Sequence, residues 1–281
     1  MKTIKNPNFL QREIFKLKKK GMRVGFVPTM GALHEGHLSL IRRANRDCDK
    51  VVVSIFINPL QFGPREDLKK YPRNLRRDIL LCKKYTDILF LPSVKTIYPD
   101  NFLTNVKVDK LSDILCGASR PGHFKGVTTV VNKLFNIVMP DIAYFGQKDA
   151  QQAVIIKKMV KDLNMPIRIK VLPIVRERDG LALSSRNVYL SKLERKDATV
   201  LYRSLLLARK LSKKRNDRCK MIISQMRRLI LKTKTSRIDY IEIVNPNTLV
   251  GLKRMKGRAL VLLAVFIGKT RLIDNMVVNT I

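Results

Sequence analysis

From Met22 to Val175 the chain alternates short runs of apolar and β-branched residues with longer stretches of helical periodicity. That alternation constrains the fold more than any other feature. Strands joined through helices pair in parallel, with right-handed crossovers. The strand-like runs are Met22–Pro28, Val51–Ile57, Ile88–Leu91, Asp141–Phe145 and Ile167–Val175. Breaks follow them at Thr29-Met30-Gly31, Asn58-Pro59, Pro92 and Gly146. Helical spacing covers His37–Asn45, Asn74–Tyr85, Val127–Val138 and Gln151–Leu163. Residues 1–20 place Phe9, Leu10, Ile14, Phe15 and Leu17 on one helical face, with Gly21 as a stop. The expectation is an α/β domain over 1–175, a doubly wound parallel sheet of Rossmann-like type.

The pattern changes near residue 175. A loop, Arg176–Asn187, precedes two helical stretches, Lys192–Lys213 and Asp217–Lys232, and two strand-like ones, Ile238–Val244 and Leu260–Ile267. Helices followed by strands predict a smaller α+β domain over 176–281.

With 281 residues, 45% of them hydrophobic, the chain can bury a core without staples and is neither collagen-like nor low-complexity. The four cysteines, Cys48, Cys82, Cys116 and Cys219, form no CxxC pair, so zinc and disulfide frameworks are disfavoured. The longest apolar run, Ala259–Ile267, is far short of the ~20 residues that span a bilayer. Met1–Lys20 lacks a continuous apolar segment of signal type. A cytoplasmic protein without membrane contact is expected. Fifty-seven Lys and Arg against 22 Asp and Glu give a net charge of +35. A polyanion binder would explain this surplus. The basic residues are scattered in short runs (Lys18–Lys20, Arg76-Arg77, Lys83-Lys84, Lys213–Arg215) and Trp is absent, so solvated surface is favoured over a specific nucleic-acid face.

Two of the three histidines, His34 and His37, sit in Pro28-Thr29-Met30-Gly31-Ala32-Leu33-His34-Glu35-Gly36-His37, between the first strand and its helix. In doubly wound sheets ligands bind beyond the carboxyl ends of strands, and a helix N-terminus suits a phosphate. Gly31 and Gly36 would let backbone approach that phosphate. A zinc HExxH motif needs histidines four apart, whereas these are three apart with a glycine between. Two later segments add to a nucleotide site. Gly146-Gln147-Lys148-Asp149 carries a lysine that can meet a triphosphate as a point charge. Leu183-Ser184-Ser185-Arg186-Asn187 offers hydroxyls and a guanidinium fork for pyrophosphate.

HxGH followed downstream by a Ser/Lys/Arg loop resembles the nucleotidyltransferase superfamily, which includes class I aminoacyl-tRNA synthetases. The fuller segments PTMGALHEGH, SIFINPLQFG, GASRPGHFKGVTTVVNKLFNIVMPDIAYFGQKDAQQ and RERDGLALSSRN resemble the pantoate–β-alanine ligase family, from about residue 22 to 190. The tail Arg271-Leu272-Ile273-Asp274-Asn275 also fits. The resemblance implies that ATP and pantoate give pantoyl adenylate and pyrophosphate, after which β-alanine yields pantothenate and AMP. It implies Mg²⁺ accompanying ATP, a homodimer, and a smaller domain closing over the site.

Carried over residue by residue, the ATP site comprises Met30, Gly31, Ala32, Leu33, His34, Glu35, Gly36, His37, Gly146, Gln147, Lys148, Asp149, Val175, Leu183, Ser184, Ser185 and Arg186. His37 matches the family's assigned catalytic position. His34, Lys148, Ser184, Ser185 and Arg186 would act on phosphates beside it. Gln61 and Gln152 match the amides that hold pantoate, with Gln61 also near β-alanine. Val127, Val130 and Val131 would wall its gem-dimethyl group, though their spacing fits an ordinary helix core equally well. Gln147 and Ala150 depart from the family, which usually has Glu and an aromatic residue there. The alternatives are another HxGH nucleotidyltransferase and a basic nucleic-acid-binding protein on a degenerate version of the fold.

Overall fold

The computed structural model describes residues 1–64, 66–213 and 218–279. They form two compact units: 1–146 with 155–173, and 147–154 with 174–281.

The first unit is built on a six-stranded parallel sheet with helices. In chain order its elements are β1 (Lys2–Ile4), α1 (Pro7–Lys19), β2 (Val24–Thr29), α2 (Glu35–Asp47), β3 (Lys50–Ile55), α3 (Leu75–Cys82), β4 (Ile88–Phe90), α4 (Val94–Ile97), α5 (Cys116–Ser119), α6 (His123–Val138), β5 (Ile142–Gly146), α7 (Ala150–Asp162, its start grouped with the second unit) and β6 (Arg168–Leu172). The first four residues of β2 are buried, as are Val51, Val52 and Val53 of β3, the pattern of a parallel sheet covered on both faces. The strand order β1-β4-β3-β2-β5-β6 puts β2 and β5 side by side, in register Gly25↔Ile142 and Phe26↔Ala143. From β2 the chain builds outward through β3 and β4, and from β5 it builds the other way through β6. The switch point of the winding therefore lies between β2 and β5.

Asn6 caps α1, accepting the Phe9 N–H, and Pro7 occupies the first turn, where a missing N–H costs nothing. The amphipathic stretch expected over 1–20 is thus a helix preceded by a short edge strand. The far end of α2 is tied down by Asp47, whose carboxylate accepts from Lys170 of β6 (2.7 Å) and from the Tyr144 hydroxyl of β5 (2.9 Å).

The second unit holds α8 (Lys192–Asp197), α9 (Val200–Ser212), α10 (Cys219–Leu231) and the antiparallel sheet β7 (Ser236–Val244), β8 (Arg258–Ile267) and β9 (Thr270–Asn279), in order β7-β8-β9. Its core joins Leu201, Leu205 and Ala208 of α9, Ile222, Met226 and Ile230 of α10, and Val261, Leu263 and Val265 of β8. The single helix expected over Lys192–Lys213 divides at Ala198-Thr199. The second helix begins at Cys219; its expected start at Asp217, and Lys214-Arg215 of a basic run, lie outside the described residues. None of the four cysteines is in a disulfide. Among the described residues, no helix is long and apolar enough to cross a membrane.

Candidate active site

Met30–His37 leaves the carboxyl end of β2, and Gly146 ends the neighbouring β5. The histidine segment thus stands at the switch point, where open α/β sheets take ligands.

The two histidines cap α2. His34 is the N-cap residue, and its Nδ1 accepts the Gly36 N–H at 3.2 Å. His37, three residues on, returns the contact: its Nδ1 accepts the His34 N–H at 3.3 Å. Side chain and backbone are paired reciprocally, as in a Ser/Glu capping box, with imidazoles in both roles. The rings lie 4.1 Å apart, tilted 36°. A neutral imidazole that accepts at Nδ1 carries its proton on Nε2. The cap therefore selects the Nε2–H form of both rings at a helix end that favours anions. Gly36 is needed for this cap, since a Cβ there would lie 2.9 Å from the His34 ring. The Glu35 carboxylate pairs with Arg42 on the same helix.

Ahead of the cap, Gly31 and Ala32 both have positive φ, 82° and 50°. The turn presents the Ala32 and Leu33 N–H groups to Asp78 of α3, at 2.9 and 2.8 Å. Asp78 is 2% exposed, and a Cβ on Gly31 would sit 3.0 Å from its carboxylate. The buried Asp78 carboxylate is thus among the side chains nearest Gly31. The Asp78 signal is hidden in the sequence, because Arg76-Arg77-Asp78 resembles solvated helix surface.

Gln61 meets this segment. Its Nε2 donates to the Met30 sulfur at 2.9 Å, and its Oε1 accepts from Asn58 at 3.1 Å. Asn58, 1% exposed, also donates to the Gly126 carbonyl (3.0 Å) and accepts from the Tyr98 hydroxyl (2.8 Å). Burial pushes the Tyr98 phenol upward, so it remains a donor. Gly126 permits this packing, since a Cβ there would lie 2.2 Å from the Leu60 carbonyl oxygen. Val127, Val130 and Val131 follow on α6, all buried. The Gln61 carbonyl accepts from Arg120 (3.2 Å) and contacts His123 Nδ1 (2.8 Å). Arg120 also pairs with Glu66; burial pushes that carboxyl up, but the guanidinium outweighs it and the net shift is downward. Asn58, Asp78, Arg120 and Glu66 escape sequence reasoning.

In the second unit Asn275 of β9 holds the Gln147–Lys148 segment. Its Nδ2 donates to the carbonyls of Gln147 and Lys148, both at 2.9 Å, and its Oδ1 accepts from Gln147 Nε2 at 3.1 Å. Lys148 is half-buried and Asp149 exposed. Beside Asn275, Asp274 is gripped in a fork by Arg176 at 2.7 and 2.9 Å. Burial pushes the Asp274 carboxyl up, with Arg176 opposing it. Val175 accepts the Leu183 N–H at 3.0 Å, so these two expected residues are paired. Ser184 then caps the turn Ser185–Tyr189 by accepting the Arg186 N–H at 3.3 Å. Gln152 lies half-exposed on α7. Among the described residues no group of three His, Cys, Asp or Glu side chains could hold a metal ion.

Known proteins resemble this chain in sequence and in fold. A sequence model of the pantoate-beta-alanine ligase family matches residues 2–277. The pantothenate synthetase of Caldicellulosiruptor saccharolyticus is 59% identical over 265 residues, covering 94% of each chain. That of Acetivibrio thermocellus is 54% identical over 280 residues, 99% of this chain and 100% of the relative. The crystal structure of the Thermus thermophilus pantothenate synthetase superposes with a TM-score of 0.94 at 45% identity, covering 98% of this chain and 99% of that one. The Francisella tularensis pantoate-beta-alanine ligase, solved with beta-gamma ATP and beta-alanine, gives 0.80 at 37% identity, covering 98% and 97%. With sequence and fold matched over nearly its whole length, the chain belongs to the pantoate-beta-alanine ligase family.

Proposed function

We propose that the imidazoles capping α2 hold phosphate oxygens of ATP while the carboxylate of pantoate attacks the α-phosphorus. The reaction is that of the family: pantoate and β-alanine are condensed to pantothenate at the expense of ATP. A pantoate oxygen bonds to the α-phosphorus and the bond to the β-phosphate bridge breaks, releasing pyrophosphate. The β-alanine amine then attacks the acyl carbon, AMP leaves, and the amine loses a proton.

The observation that carries this reading is the reciprocal His34–His37 cap. With Nδ1 of each ring engaged in the cap, Nε2 is the ring atom left to act as donor to a developing negative charge, a preorganised arrangement of the kind that stabilises such transition states. Gln61 suits pantoate because an uncharged amide orients a carboxylate without quenching its nucleophilicity. Gln152 shares that role, and Val127, Val130 and Val131 fit the branched carbon. Met30–His37, Gly146–Asp149, Val175 and Leu183–Arg186 serve ATP. Lys148, Ser184, Ser185 and Arg186 are assigned to the departing pyrophosphate. Mg²⁺ would enter with ATP as part of the substrate complex, held mainly by phosphates and waters. The Francisella relative supports both small-molecule assignments, since its structure holds beta-gamma ATP and beta-alanine. A cytoplasmic homodimer completes the proposal, and sedimentation of the purified chain tests the dimer.

The readings as a different HxGH nucleotidyltransferase or a nucleic-acid-binding protein find no support in these relatives. One assay tests the function: purified protein with MgATP and pantoate, with and without β-alanine, read for pyrophosphate, AMP and pantothenate. Pantoate-dependent pyrophosphate, and pantothenate only when β-alanine is added, is the expected result. ATP turnover indifferent to pantoate overturns the reading.

A further inference from the structure

We infer that Asn275 is a positioning residue for Lys148, acting through the backbone of the Gln147–Lys148 segment. The inference rests on the assignment of Lys148 to the ATP phosphates.

The Asn275 carboxamide turns its hydrogen bonds on one short stretch of chain. Nδ2 donates to successive carbonyls, and Oδ1 takes the Gln147 side chain. The residue is 2% exposed, so water does not compete for these bonds. Its own backbone is braced as well. The Asn275 N–H donates to Asp274 Oδ1 at 2.7 Å, and the Asn275 carbonyl accepts from Arg176 at 3.3 Å. Arg176 is fixed in turn by its fork to Asp274, by the Gly180 carbonyl (3.0 Å) and by stacking 4.2 Å over the Tyr202 ring. A lysine is a point charge on a four-carbon stem and has no planar fork to register it on a ligand. Its placement therefore depends on where its backbone is held. Two bonds to the carbonyls of 147 and 148 set the direction from which the Lys148 stem departs. The Gln147 amide, a donor, is the complement of Asn275 Oδ1.

Asn275→Asp is the informative substitution, since it keeps shape but turns two donors into an oxygen facing two carbonyl oxygens. Four proteins are compared: wild type, Lys148→Ala, Asn275→Asp and the double variant. Each is measured for equilibrium binding of a non-hydrolysable ATP analogue, for KM of ATP and kcat of pantoate-dependent pyrophosphate release, and for thermal unfolding. Asn275→Asp is expected to weaken ATP binding or raise its KM about tenfold, corresponding to one amide pair inverted. In the Lys148→Ala background the same substitution is expected to add less than about twofold, because its effect passes through the lysine. Additive losses would mean that Asn275 acts on general stability, and would overturn the inference. So would unchanged ATP binding and KM in Asn275→Asp. If Lys148→Ala alone leaves ATP binding and turnover intact, the assignment of Lys148 fails instead, a separate result. Should Asn275→Asp not fold, Asn275→Ser, shorter and uncharged, is carried through the same cycle.

Discussion

Asp78 accepts the backbone N–H of Leu33 at 2.8 Å, and the neighbouring oxygen takes Ala32. A carboxylate from α3 thus fixes the turn that ends in His34. Replacing it by Ala strands two N–H groups beside a buried space. A loss of about 2–4 kcal/mol is expected for Asp78→Ala. Asp78→Asn keeps one acceptor and is expected to lose about half as much. Urea unfolding of the three proteins checks the order, and equal stability of wild type and Asp78→Ala contradicts the clamp.

Gly36→Ala separates stability from activity. Alanine suits a helical position better than glycine, by about 1 kcal/mol. The new Cβ, however, would sit 2.9 Å from the His34 ring and push it off its cap. Thermal unfolding is expected close to the wild-type temperature, because losing the His34 cap offsets that gain, with pyrophosphate release reduced about tenfold or more, on the order of one oriented donor lost. Full activity in this variant would show that the ring's resting place is irrelevant to the chemistry.

Replacing both His34 and His37 by Ala tests the phosphate cradle directly. Pantoyl adenylate formation is expected to fall by at least about a thousandfold, the scale of removing preorganised donors. Single-turnover quench experiments measure it, with circular dichroism to verify the fold.

Gln147→Glu replaces the donor that meets Asn275 Oδ1 with a carboxylate. Two acceptors then face each other, at a cost of about 1 kcal/mol. The expected outcome is a several-fold change in KM for ATP. Identical kinetics would show the position to be idle.

Asp47 sets an acid limit. Burial pushes its carboxyl up, but hydrogen bonds from Lys170, Tyr144 and Arg43 prevail and hold it down at about 2. The unfolded chain titrates this group near 3.8. Its stabilisation is therefore complete above that value and disappears as pH falls toward 2. Partial exposure limits the contribution to about 1 kcal/mol. Asp47→Asn is expected to be less stable than wild type at about pH 7, with the gap closing by about pH 2, as followed by denaturant midpoints. A gap independent of pH would assign the effect to packing alone.

The strands and helices legible in the sequence are those long enough to show a period. Val51–Ile57 and Val127–Val138 are apolar enough to announce β3 and α6. Lys2–Ile4 is three residues long, too short for any alternation, and is a strand only because β4 pairs with it. β9 is not legible as a strand because Arg271, Asp274 and Asn275 interrupt its apolar alternation. Two of those residues are buried and fill the polar network around Gln147. α2 starts at Glu35, ahead of the expected His37, because a histidine serves as its cap, where Ser, Thr, Asp and Asn are the usual signals. The strand–turn–helix setting of His34 and His37 is legible from residue type and spacing, while most other candidate residues come from the family resemblance. The supporting roles of Asp78, Asn58 and Asn275 are not legible, since each depends on partners distant in sequence, Ala32 and Leu33 for Asp78, Tyr98 and Gly126 for Asn58, and Gln147 and Lys148 for Asn275.

The adjacency of β2 and β5 has a consequence for synthesis. β2 leaves the ribosome long before β5, by on the order of ten seconds at ordinary translation rates. During that interval β3 can cover one flank of β2, while the other flank stays an open edge, apolar and ready to pair with another chain. The β2–β5 junction is thus one of the last seams of the sheet to close, and until then the nascent chain keeps an unpaired apolar edge at the switch point where the site is proposed.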